Sequence, residues 1–123
     1  MNGNTVVFFD KAPELLPLYA ALEDAILTRC PDAQVLVMKS QIAFTVARRF
    51  AFASLRGRRL IVTFGLPQRV ESPRIWQAVE PYPNRWTHHV LLTAPEAVDE
   101  QLLTWLDMSH HFRCVACLRR KKG

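Results

Sequence analysis

The apolar residues of this chain change period twice, and that change orders its elements before composition is considered. From Glu14 to Cys30, residues Leu15, Leu18, Tyr19, Leu22, Ile26 and Cys30 recur at steps of three and four, the stripe of an amphipathic helix. Pro13 and Pro17 fit only its first turn, and Pro31 ends it. Upstream, the short apolar patch Val6 to Phe9 fits a strand or a helical turn, and a helical turn packing on the core is expected. Between Gln34 and Gly65 the pattern shifts to β-branched and aromatic residues in partial alternation. Three or four short strands are predicted there: Val35–Met38, Ile42–Val46, Phe50–Leu55 and Leu60–Phe64. The turn Arg56-Gly57-Arg58 joins the last two as a hairpin, glycine supplying the positive φ that such turns need.

Pro67, Pro73, Pro81 and Pro83 mark the next stretch as a wrapping loop, in which only Arg74 to Val79 has the pattern of a helical turn. Arg85 to Thr93 resumes strand character. Trp86, His88, Val90 and Leu92 fall on its core face, and Arg85, Thr87, His89 and Leu91 on the other. Thr93-Ala94-Pro95-Glu96 has the spacing of a capping box ahead of a second helical stripe, Val98, Leu102, Trp105, Leu106 and Ser109, running to about Phe112. The order predicts an α+β two-layer sandwich. Its antiparallel sheet of about five strands carries the N- and C-terminal helices packed on one face. Residues 1–113 form a single domain, followed by a basic C-terminal tail over 114–123.

Composition agrees with one domain and narrows its setting. At 123 residues, half of them apolar, the chain should bury roughly 65% of the surface its unfolded form exposes, so its core needs no metal, disulfide or cofactor as a staple. No apolar run reaches the roughly 20 residues of a membrane span, and Met1 to Asp10 lacks a basic lead and a small-residue cleavage site. Cys30, Cys114 and Cys117 are an odd number without framework spacing and read as reduced thiols. The expectation is a cytoplasmic protein with no membrane partner.

Charge is segregated along the chain. No Asp or Glu occurs from Ala33 through Val70, where Lys39, Arg48, Arg49, Arg56, Arg58, Arg59 and Arg69 all fall. Acid gathers instead in the helical stretches, as Glu14, Glu23 and Asp24, then Glu96, Asp99, Glu100 and Asp107. If the acidic helices cover one sheet face, the strands present a basic surface on the other face or its edge. The plainer account is that these arginines solvate the sheet and guard its edges. Lys39, Ser40 and Gln41 offer an ammonium, a hydroxyl and an amide at a strand end, while Arg85 and His89 share one strand face. Were those segments neighbours, they would form a pocket for an anionic small molecule or phosphate-bearing ligand. Nucleic acid is an alternative ligand, but aromatic interleaving is sparse, and Trp76, Trp86 and Trp105 read as core.

His110, Cys114 and Cys117 are spaced four and three apart, so a continued helix would align an imidazole and two thiolates in a zinc-like set. A single Cys-x-x-Cys lacks the second pair that makes a zinc signal strong, so the sequence does not decide whether these three bind zinc and no metal ligand is assigned. No Gly-rich phosphate loop, nucleophile elbow or close carboxylate pair is present in the acid-free region, so no reaction is assigned either.

The segments Met38-Lys39-Ser40-Gln41-Ile42-Ala43-Phe44, Phe64-Gly65-Leu66-Pro67, Ser72-Pro73-Arg74-Ile75, Arg85-Trp86-Thr87-His88-His89-Val90 and Leu102-Leu103-Thr104-Trp105-Leu106 resemble a bacterial domain family of unknown function. Its members occur alone or appended to other modules, and some carry the label "predicted transport protein". The resemblance runs from Val6 to Phe112. In outline the family is similar to the YdhG-like group of small α+β domains and to frataxin, which implies the same fold and no particular reaction. It leaves three expectations open: a binding module for an anionic ligand centred on Lys39, Ser40, Gln41, Arg85 and His89, a frataxin-like metal-handling protein, or a small enzyme. Asp107-Met108-Ser109-His110-His111 departs from the acidic, alanine and tyrosine cluster expected there, and the cysteines and basic tail are additions.

Overall fold

The computed structural model describes residues 3–46, 49–56, 59–82 and 85–122, with side chains described for all of these except 3, 11, 81, 82, 85, 95 and 112–122. A short helix α1 (Gly3–Phe8) leads through two single 3-10 turns into α2 (Leu16–Arg29). Pro17 sits in the first turn of α2, where its missing N–H costs nothing. Six strands follow: β1 (Gln34–Val37), β2 (Ile42–Thr45), β3 (Arg49–Arg56), β4 (Arg59–Leu66), β5 (Ile75–Tyr82) and β6 (Arg85–Leu92). The last helix is α3 (Glu100–Lys122).

All strand pairings are antiparallel, in the order β1-β2-β3-β4-β6-β5. The predicted α+β sandwich stands, with six strands in place of about five. The added strand is β5, from the stretch expected to be loop. Two register shifts, between Ile75 and Gln77 and between Val79 and Tyr82, break its alternation and hide the period of two. It lies at the sheet edge, where Pro81 removes no needed ladder donor.

Paired residues share a face, so the register sorts the sheet into an inner face under α2 and α3 and an outer one. Ile42, Phe44, Ala51, Ala53, Leu60, Val62, Phe64, Leu66, His88, Val90 and Leu92 line the inner face and are buried. Against them pack Leu18, Tyr19, Leu22 and Ile26 of α2 and Leu102, Trp105 and Leu106 of α3, as their spacing required. A shift between Phe44 and Thr45 leaves Phe50 as an extra residue in β3, and this bulge turns both Phe50 and Ala51 inward. Ser109 on α3 closes the gap: its buried hydroxyl donates to the Phe50 carbonyl at 2.6 Å and accepts the Gly65 N–H at 3.2 Å.

The 67–74 segment crosses β6 on the inner side to deliver β5 to the edge. Val70 N–H donates to His88 Nε2 at 2.9 Å, and Arg69 lies 5.8 Å from the Trp86 ring. The crossing ends in Arg74, which bonds Asp99 Oδ1 at 2.7 Å, Gln101 Oε1 at 3.0 Å and the Ala97 carbonyl at 2.7 Å, its guanidinium 5.8 Å from the Trp105 ring. Asp99 also accepts the Leu102 N–H at 3.1 Å and is the true N-cap of α3. The expected cap, Thr93, is displaced because Pro95–Ala97 forms a separate 3-10 turn. Arg29 of α2 bonds both Glu100 and Asp107, locking the two helices together.

Candidate functional site

Lys39 and Ser40 occupy the centre of the β1–β2 turn, which is closed by a bond from Met38 N–H to the Gln41 carbonyl at 2.8 Å. Both side chains are exposed, while Gln41 is half-buried. Beside this turn, α1 leans on β1 and leaves an open cleft of about 950 Å³. Val7, Phe8, Val37, Met38 and Leu55 form its apolar walls, and Asn4, Asp10, Lys39 and Ser40 its polar rim. Neither Lys39 nor Asp10 forms an ion pair with another described residue. The cleft therefore offers an ammonium and a carboxylate at the mouth of an apolar trough.

Arg85 and His89 lie elsewhere. Both fall on the outer face of β6, as alternation predicts, and the side chain of Arg85 lies outside the described residues. From β2 to β6 is three strand spacings, about 14 Å; the register sets Ile42 level with Val90, five residues or about 17 Å from Arg85, and the Lys39 turn lies beyond Ile42 at the opposite end of the sheet. The structure thus separates Lys39, Ser40 and Gln41 from Arg85 and His89. Local sequence pattern leaves strand neighbours and register open, and with β6 beside β4 the two groups stand three strands apart.

His89 Nδ1 is 2.9 Å from Thr63 Oγ1 across the β4–β6 ladder, and its ring meets Trp76 edge-on with centroids 6.4 Å apart. Burial lowers its pKa below the ordinary imidazole value. Trp76, expected in the core, is 42% exposed, because the register shift at that point turns it out of the ladder. The Arg56 guanidinium lies over the Trp76 ring, 4.6 Å from its centroid. Trp105 is buried as expected and Trp86 half-buried.

His88 takes the core position predicted for it and is fully buried. Because Nε2 accepts from Val70, the proton of the neutral ring belongs on Nδ1, which finds no hydrogen-bond partner among the described residues. Its ring stacks on Phe64 at 5.2 Å, and Phe64 in turn stacks on Trp105 at 5.8 Å. Burial is the main cause of a lowered His88 pKa. The backbone at Trp86 and Phe64 opposes it, while the charges of His89 and Arg69 add to it. The stack, with Arg74 beside Trp105, explains most of the segments that carried the family resemblance as packing.

The zinc-like set is not assembled from what is described. His110 packs edge-on against Phe50 at 5.0 Å, and the side chains of Cys114 and Cys117 lie outside the described residues, as do those of the basic tail, although α3 itself runs on to Lys122. Among the described residues no three His, Cys, Asp or Glu side chains gather as metal ligands, and no helix is long and apolar enough to cross a membrane.

Residues 6–113 match the family model described as Domain of unknown function (DUF5655), and the chain belongs to that family. No curated protein and no solved structure matches it.

Proposed function

We propose that the domain is a binding module for a small, singly charged anionic ligand with an apolar body, received in the cleft beside Lys39 and Ser40. The observation that carries this reading is the meeting of a hydroxyl, an apolar trough and an ammonium that pairs with no described carboxylate, all in one cleft of ligand size. Lys39 supplies charge and Ser40 a directional hydrogen bond to the anionic group, while Val7, Phe8, Val37 and Leu55 cover the remainder. Asp10 on the same rim repels a second negative charge, which favours a monocarboxylate over a polyphosphate. Gln41 stands at the turn and can serve the same ligand. Arg85 and His89 belong to a separate surface. The frataxin-like alternative wants a carboxylate-rich surface, whereas the helical acids Asp99, Glu100 and Asp107 are engaged by Arg74 and Arg29.

The reading is tested by screening monocarboxylates of increasing apolar size by ligand-observed NMR. Binding that strengthens with apolar length, and falls about ten-fold or more in Lys39→Met, is the expected result, since a charge-assisted bond is lost. Equal weak signals from all acids in both proteins would end the proposal.

A further inference from the structure

We propose that the outer face of the sheet is a binding surface for single-stranded nucleic acid, with Trp76 as the platform on which a base stacks. This surface is distinct from the cleft at Lys39. Among the described residues no helix covers it: α2 and α3 both pack on the inner face, so Phe52, Ser54, Thr63, Thr87, His89 and Leu91 form an open floor. Trp76 stands up from that floor at the bulge of β5, 42% exposed, although a tryptophan in a chain of this core size has apolar surface to bury.

The groups around it have complementary roles. Arg56 and Arg59 are a directly paired couple whose neighbours Leu55 and Leu60 point inward, so both arginines belong to the outer face. Arg56 reaches across the sheet to lie over Trp76, and Ile61 on the same face is only 7% exposed. A guanidinium over an indole keeps its charge available to a phosphate beside the ring. His89, bonded to Thr63, meets the same ring edge-on with centroids 6.4 Å apart. Alternation along β6 puts positions 85, 87 and 89 on this same face, with Arg85 at the end nearest the β5–β6 turn.

Charge selects the occupant. The strands β1 to β4 contain no carboxylate, so a polyanion laid across them from β3 to β5 meets Arg56 and Arg59 without repulsion from the floor. Glu80, on β5, already has an interaction of its own. An aromatic platform, flanking guanidinium groups and a flat, sequence-tolerant floor are what a single strand requires, because each base exposes a π-face while its phosphates need only charge. A duplex hides its base faces and could use only the charge.

The test uses the whole chain and a labelled oligothymidine of about 15 nucleotides, followed by fluorescence anisotropy at low salt. Binding is expected to weaken linearly in log affinity with log salt and to quench tryptophan emission. Trp76→Ala should weaken it about five-fold or more and remove most of the quench, Trp76→Phe should keep part of it, and Arg56→Gln should lower the salt slope. Lys39→Met should leave the affinity unchanged, so this proposal and the cleft reading fail separately. Absence of binding at low salt would overturn the inference. So would equal affinity for a duplex, or binding that survives Trp76→Ala but disappears when Arg119, Arg120, Lys121 and Lys122 are all changed to Gln.

Discussion

Ser109 shows how one hydroxyl can settle a backbone problem. The β3–β4 ladder begins only at Ala51 and Phe64, and next to it Ser109 answers both the Phe50 carbonyl and the Gly65 N–H from the helix above. Ser109→Ala leaves those two groups buried without that partner, at an expected cost of about 1–3 kcal/mol, read as a lower urea midpoint with the m-value unchanged. Sequence periodicity placed Ser109 on the buried stripe of the helix. It gave no hint of the bulge, because the partners of the hydroxyl come from strands that are distant in the chain.

Among the elements, the crossing segment and β5 are held by Arg74 as well as by the packing of Val70 and Ile75 on the core. Arg74 ties the end of the crossing to the first turn of α3 through Asp99, Gln101 and the Ala97 carbonyl. Arg74→Met should lower stability by about 1–2 kcal/mol, with amide exchange accelerating in β5 before β3 and β4. The same elements mark where the sequence was legible. Helical stripes and the strands β1 to β4 and β6 follow from local period, and so do the inward His88 and outward His89. Strand β5 does not, since bulges at Trp76 and near Glu80 erase its alternation and its proline imitates a loop. The candidate site was legible only in halves. The turn bearing Lys39 and Ser40 and the face bearing His89 were both anticipated, but their separation is set by strand order, a non-local property.

For the molecule as a whole, acid sensitivity should follow from the buried His88 and the half-buried His89. The pKa values of His88 and His89 are both lowered from 6.5, so the folded state binds fewer protons than the unfolded state once pH drops below that value. Their stabilisation is complete above 6.5 and is lost as pH falls through the lowered folded values. Asp99, held below its ordinary carboxyl range mainly by the Arg74 bond, adds a further loss at more acidic pH. Urea midpoints should therefore decline as pH falls below 6.5, and His88→Phe should flatten the decline while lowering the plateau.

Because β6 sits between β4 and β5, the sheet cannot be laid down in the order in which the chain is made. A nascent polypeptide that has emerged only as far as β5 has nothing to set that strand against, and one flank of β4 stays open until Leu92 clears the ribosome. Synthesis thus passes through an interval in which Ile61 to Leu66 can be captured by another chain, and a pause there would favour aggregation over assembly.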